Sequence, residues 1–327
     1  MLTYLLRRVL YSIPLLIMVS IIGFLVIQLP PGDFLTIRIT ELEARGDYSA
    51  RLYIDQLKAR YGLDKPIWLQ YWIWISNFVR GDFGYSFRYE RPVSELVGER
   101  IALTVTLSVV TMIFTWVIAL AIGIYSATHQ YSIGDRIFTF LGFIGLSIPG
   151  FLLALILMFV AVFYFDQSVG GLFSPKYVDA PWNLAKILDM LKHIWIPVII
   201  IGMSGTAGLI RVMRGNLLDI LGQQYILTAR AKGLKERIVV FKHAVRVAIN
   251  PLISMAGMSL PGIISGETLT SIVLNLPTTG PLFLTALQTQ DMFLAGTFLM
   301  FLAMMLVLGN LLADFALAWA DPRIRYD

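Results

Sequence analysis

Charged residues fall along this chain like punctuation, and the stretches between them are long and apolar. Six strongly apolar intervals are free of charge: 9–32, 101–128, 137–165, 194–210, 247–266 and 292–313. A bilayer's hydrocarbon core is about 30 Å thick and takes roughly 20 apolar residues in a helix. All six intervals are near or above that length, with 194–210 the shortest. Backbone groups cannot face lipid unpaired, so each interval is expected to be a helix. The first is too long for the apolar core of a signal peptide, and Pro30-Pro31-Gly32 is no small-residue cleavage site. It is expected to remain as a true helix.

Between the first two intervals lies a mixed segment, 33–100. Leu52, Ile54, Leu57 and Tyr61 have helical spacing. Pro66 then opens an aromatic stretch with Trp68, Tyr71, Trp72, Trp74 and Phe78. Such a stretch suits either the membrane–water interface or the core of a folded cap, and both readings stay open. Gly81-Asp82-Phe83-Gly84 predicts a turn, and 33–49 a flexible stretch.

Composition supports lipid as the solvent. Charged residues make up 14% of the chain and apolar ones 57%, against about 25% charged in soluble domains. Cysteine is absent, so disulfides, cysteine-based zinc sites and thiol nucleophiles are excluded. The basic residues are unevenly placed. Residues 211–250 hold Arg211, Arg214, Arg230, Lys232, Lys235, Arg237, Lys242 and Arg246 against only Asp219 and Glu236. Arg7, Arg8, Arg136, Arg323 and Arg325 sit on the same side of a six-span topology. The positive-inside rule then places both termini and the basic loop in the cytoplasm.

Little chemistry is available to the chain alone. His129, His193 and His243 form no H-E-x-x-H pair, and neither a G-x-S-x-G elbow nor a phosphate-binding P-loop occurs. The apolar intervals lack the carboxylates that ion-coupled carriers use. What remains is a conduit without its own energy source.

The basic loop gains its meaning from that deficit. Tyr225–Lys232 can form about two helical turns, with Ala229 and Ala231 keeping its surface small. Gly233 is placed to stop that helix, and 235–248 to resume one. Arg230, Lys232 and Arg237 are expected to pair with acids on a neighbouring protein; the alternative is a segment resting on anionic lipid. The ordered pieces Tyr225, Thr228-Ala229-Arg230-Ala231-Lys232-Gly233, His243-Ala244-Val245-Arg246 and Asn250-Pro251 resemble the cytoplasmic signature loop of permease subunits of ATP-binding cassette importers, in the dipeptide/oligopeptide permease B family. The resemblance extends to Leu5-Leu6-Arg7-Arg8, Pro31-Gly32-Asp33, Tyr61-Gly62-Leu63-Asp64-Lys65-Pro66, Gly81 to Ser86, Ser147-Ile148-Pro149, Gly266-Glu267-Thr268 and Asp321-Pro322-Arg323. It departs at Phe34, where the family often has Pro, at Leu276–Pro281, and in lacking the acidic first letter of the broader loop signature.

The expected fold class is therefore an all-α membrane protein: six transmembrane helices, a long extracytoplasmic segment after helix 1, and a cytoplasmic coupling loop between helices 4 and 5. Three regions are expected, namely an N-terminal helix 1–32, an extracytoplasmic segment 33–100, and a five-helix core 101–327 containing the loop 211–250. The resemblance implies an inner-membrane, non-enzymatic permease subunit that imports small peptides with a binding protein. Its implied partners are two ATP-binding cassette ATPases holding ATP and Mg, a second homologous permease, an extracytoplasmic solute-binding protein and membrane lipid, with no nucleic acid and no cofactor or metal in this chain. Tyr225, Thr228, Ala229, Arg230, Ala231, Lys232 and Gly233 are the implied ATPase-coupling residues. Oligosaccharide cargo remains an alternative, as does an ATP-independent carrier or channel. For pathway or gate, the candidates are Met255, Met258, Ser259 and Glu267. Small residues in membrane helices also serve close packing, and Gly202, Ser204, Gly205, Thr206 and Gly208 are assigned that role. Pro149, Pro197, Pro251 and Pro261 are expected to kink or start helices.

Overall fold

The computed structural model describes residues 2–28, 52, 56, 59, 62, 64–86, 88–165, 170–266 and 268–320. Helices dominate. In chain order they are α1 (Leu2–Gln28), α2 (Ile67–Val79), α3 (Val93–Thr128), α4 (Ile133–Ser147), α5 (Gly150–Phe165), α6 (Leu184–His193), α7 (Trp195–Leu221) and α8 (Gln224–Ala231). Short helical pieces from Glu236 to Ala248 then lead into α9 (Asn250–Gly266), followed by α10 (Thr268–Val273), α11 (Thr279–Gln288) and α12 (Met292–Ala320). An all-α expectation misses one small feature: β1 (Tyr85–Ser86) and β2 (Arg91–Pro92) form an antiparallel hairpin after the expected turn at Gly81–Gly84. The expected flexible stretch 33–49 and most of 51–61 lie outside the described residues.

Four helical stretches among the described residues are long and apolar enough to cross a membrane: Arg7–Gln28, Val93–Thr128, Glu236–Gly257 and Met292–Ala318. Two bent pairs bring the number to six if each is one crossing. The third apolar interval is one of them, with Ile133–Gly145 and Gly150–Tyr164 meeting at 103°. The cause is Pro149. A residue before proline is driven out of the helical region, and Ile148 is extended at φ −88°, ψ 121°.

The second bend, 52°, lies between Trp195–Met203 and Gly205–Leu221. Here the Gly202 carbonyl accepts the Thr206 hydroxyl at 2.7 Å and the Thr115 hydroxyl of α3 at 3.3 Å. Hydroxyls that back-bond to the preceding turn bend helices. The expected end of this span at residue 210 is too early, because α7 continues to Leu221. Met213 and Leu217 keep an apolar face going beyond Arg211, and both are fully buried.

Two compact units contain the described residues. One comprises Leu6–Leu103 and Thr278–Met305. In it Trp74 and Phe78 of α2 pack with Phe24, Val93, Leu282 and Phe293, while Trp68 and Trp72 on the opposite face are exposed. One face of the aromatic stretch is thus a packed core, and the other is exposed. Tyr71 meets Ser20 of α1 at 2.8 Å, and Gln70 accepts from Gln28 at 2.8 Å. Asp291, buried at the start of α12, accepts from the Ser86 hydroxyl at 2.5 Å and from the Leu294 amide at 3.2 Å. Burial pushes its carboxyl above the usual range, against those hydrogen bonds.

The other unit comprises Met1–Leu5, Thr104–Pro277 and Leu306–Asp327. Its segment before α7 is well built. Buried Lys186 donates to the carbonyls of Val178 and Ala180 and lies over Phe173 and Trp182. Desolvation acts to raise the Asp189 carboxyl, yet the Ser174 hydroxyl and amide at 2.6 and 2.7 Å hold it below its ordinary value. In the same unit α9 and α12 touch at Gly257 and Gly309. A methyl on Gly257 would lie 2.6 Å from the Gly309 carbonyl oxygen, so the backbones themselves are in contact. Gly309→Leu should separate these helices and cost about 1–3 kcal/mol, read as a lower thermal midpoint in detergent. Gly215→Ala, with open space around it, should be neutral or stabilising by about 0.5–1 kcal/mol in the same assay.

Candidate coupling site

The short helix α8 is held by two side chains. Of its residues only Ile226 and Ala229, three apart and so on one face, are buried. They join a core with Ala127 of α3, Met213 and Leu217 of α7, Leu252 of α9, and Val239, Ala244 and Ala248 between α8 and α9. Tyr225, Leu227, Thr228, Arg230, Ala231, Lys232 and Gly233 are exposed. Two of these, Tyr225 and Leu227, are large and apolar. The helix therefore presents a mixed polar and apolar outer face from a fixed apolar root.

Its end is set by Gly233, which adopts φ +73°. The Gly233 amide donates to the Arg230 carbonyl at 2.9 Å, and the Leu234 amide reaches back to the Ala229 carbonyl at 3.4 Å. This is a Schellman closure, and its left-handed residue is the one where glycine is favoured. A helix stop at Gly233, expected from the sequence, is where the chain turns.

Arg230 departs from expectation. It was assigned to an acid on a neighbour, but its Nε and Nη2 donate to the two carboxylate oxygens of Glu236 at 3.1 and 2.6 Å. A planar guanidinium fits a carboxylate in this forked way. The fork spans the Gly233 turn and clips α8 to the next helical segment. That segment is a continuous helical run rather than the simple α-helix expected at 235–248: Val239–Ala244 is π-helical. In a π turn residues five apart share a face. Val239 and Ala244 are thereby both buried on the α7 core.

The pathway candidates meet different outcomes. Met255 and Ser259, four apart on α9, line a cavity of about 220 Å³ together with Thr111 and Thr115 of α3 and Gly205 and Gly208 of α7. Gly205 and Gly208, assigned to helix packing, thus also face open space. Gly202 does serve packing, since a methyl there would lie 2.8 Å from the Phe114 ring. The side chain of Met258 and all of Glu267 lie outside the described residues. Thr111 and Thr115 were missed. Their signal is the spacing of Thr104, Ser108, Thr111 and Thr115, a hydroxyl stripe at helical period, all buried.

The family model described as binding-protein-dependent transport system inner membrane component matches residues 119–326, and the model of that family's N-terminal part matches 1–108. The chain belongs to this family. It is 37% identical over 328 residues to the oligopeptide transport system permease protein AppB of Bacillus subtilis (strain 168), covering 100% of both chains. It is 32% identical over 326 residues to the glutathione transport system permease protein GsiC of Salmonella typhi, again covering 100% of both. The dipeptide transport system permease protein DppB of Alkalihalophilus pseudofirmus is 29% identical over 350 residues, with both chains fully covered. Among solved structures, a chain of the methionine ABC transporter MetNI in inward-facing conformations matches with a TM-score of 0.50 at 17% identity, over 69% of this chain and 96% of that one. That likeness supports the permease fold alone. The protein is thus a multi-pass inner-membrane permease component, a type of subunit that is not itself catalytic.

Removing the root of α8 should loosen it locally. Ile226→Ala leaves a cavity in a packed core and should cost about 2–5 kcal/mol. Hydrogen exchange should report it as faster exchange over 223–235 than in α3. Arg230→Gln should raise exchange around 233–236 while leaving the buried root protected.

Proposed function

We propose that this chain is a permease subunit of an ATP-driven, binding-protein-dependent importer of small peptides, and that α8 is its coupling helix. One observation carries the proposal: α8 is rooted by Ile226 and Ala229 on the extension of α7, while its outer face is offered to solvent. A chain that has no P-loop of its own presents there a rigid peg. Two ATPase subunits on the cytoplasmic side are the fitting partners, with this chain paired to a second permease and served by an outer binding protein. ATP and Mg belong to the ATPases. Peptide cargo is supported by the likeness to the oligopeptide permease AppB and the dipeptide permease DppB.

In this assignment Tyr225, Thr228, Ala229, Arg230, Ala231, Lys232 and Gly233 form the coupling element. Ala229 anchors, Arg230 clips, Gly233 turns, and the exposed residues meet the ATPase. Met255 and Ser259, with Thr111 and Thr115, line the solute side of the subunit. A nucleotide-dependent partner moves the permease only by binding its inward- and outward-open states differently. The anchored helix lets that difference act on α7 and α9, because the root of α8 shares a core with both. The basic loop and both termini are assigned to the cytoplasm.

Gly233 supplies the test. A β-branched residue at φ +73° is strained by about 1–3 kcal/mol. In the reconstituted importer, Gly233→Val should uncouple ATP hydrolysis from transport while membrane insertion persists. Gly233→Asn, which tolerates this backbone region, should retain coupling. Coupled activity of the valine variant at the wild-type level would remove Gly233 from the proposed role. The chain has no cysteine, so Leu227→Cys gives a single crosslinking site. Crosslinks to an ATPase subunit are expected; crosslinks to phospholipid headgroups alone would overturn the coupling assignment.

A further inference from the structure

A second cavity, of about 530 Å³, lies between the first turns of α4 and the middle of α7. Its lining holds Arg136, Arg211 and Arg214 against a single carboxylate, Asp135. Asp135 is committed: it receives the Tyr131 amide at 3.0 Å and pairs with Arg214 at 3.1 Å. Two positive charges therefore remain in excess within the lining. The Nε of Arg214 and the Oδ1 of Asp135 are both buried without a hydrogen-bond partner among the described residues, so this ion pair is enclosed in the wall and Arg136 and Arg211 carry the excess charge of the lining. Arg211 lies 5.5 Å over the Phe143 ring, which holds its guanidinium at the cavity wall.

The rest of the wall is apolar. Phe140 and Phe143 are 65% and 51% exposed, and Ile137, Leu141 and Ile144 continue an exposed apolar face along α4. A cationic mouth leading onto an apolar helix face has the polarity profile of a phospholipid. It does not suit a water-soluble anion, which would leave the aromatic wall uncovered. Basic pockets between membrane helices on the cytoplasmic side are suited to anionic headgroups.

We propose that this cleft is a binding site for an anionic phospholipid of the cytoplasmic leaflet. The phosphate sits against Arg136 and Arg211, and the acyl chains lie along the exposed face of α4. The inference rests on the cytoplasmic placement of the basic loop made above. The two are separable. Labelling of Lys232→Cys by a membrane-impermeant maleimide reports the placement alone.

The test is lipid retention by the purified full chain, taken from bilayers of phosphatidylglycerol and phosphatidylcholine and read by native mass spectrometry. Phosphatidylglycerol should be retained preferentially. Arg136→Gln/Arg211→Gln should weaken that retention roughly tenfold or more. The charge-matched Lys235→Gln/Lys242→Gln variant, outside the cleft, should leave it unchanged. Equal retention of the two lipids, equal loss in both variants, or displacement by millimolar inorganic phosphate overturns the proposal. A second measurement avoids dependence on the arginine variants folding. A photoreactive benzoylphenylalanine in place of Phe140 should yield a phosphatidylglycerol adduct. An adduct only to a second permease chain would identify the cleft as a protein interface and overturn the lipid site. Cytoplasmic labelling of Lys232→Cys with no lipid adduct would reject this inference while leaving the permease assignment intact.

Discussion

The packing around α8 in this permease depends on a single extension of apolar surface. After its apolar span α7 continues for further turns through Met213 and Leu217, both fully buried. Without that continuation, Ile226 would have nothing to pack against. A short polar helix of eight residues is marginal in water, so its order has to come from tertiary packing. The same surface receives Val239 and Ala244 by way of the π turn and Leu252 at the start of α9. Helix α8, the re-phased segment that follows it and α9 thus share one root. A displacement of α8 is felt by α7 and α9 because packed cores respond as units rather than yielding locally.

Polar groups inside the helical layer are arranged around backbone that lipid cannot satisfy. The Gly202 carbonyl at the bend of α7 receives two hydroxyls, one from its own helix and one from α3. The break at Ile148–Pro149 removes a regular helix where the third span would otherwise run straight. The bend of α7 lies beside the cavity of Thr111, Thr115, Met255 and Ser259, which Ile201 and Gly205 also line. Irregular backbone at membrane depth is tolerated where it is enclosed by protein or lines a cavity. Curvature, cavity and function are therefore expected in the same places.

Arg230 illustrates how charge alone misleads. Its position in a basic run pointed outward to an acidic partner, but Glu236 lies within reach once Gly233 reverses the chain. Two residues six apart would not face one another on a continuous helix, where neighbours are three or four apart. The left-handed turn creates the contact. The exposed pair contributes little to global stability. Its effect is local, fixing the angle between α8 and the segment that follows.

Much of the protein was legible from residue order. Runs without charge marked the spans, because removing a charge from water is prohibitive in hydrocarbon. Gly233 marked the end of α8, because glycine is favoured where a helix closes through a left-handed residue. The ordered motifs of the basic loop marked the family. Tertiary structure alone decided which face of each helix turned inward. It set Trp74 inside and Trp72 outside, made Thr111 and Thr115 of α3 part of a cavity wall, extended α7 beyond its apolar interval, and turned Arg230 onto Glu236. The reason is physical. Hydropathy is a property of single residues and their spacing, whereas burial, re-phasing and ion pairing depend on what a neighbouring element brings within a few ångströms.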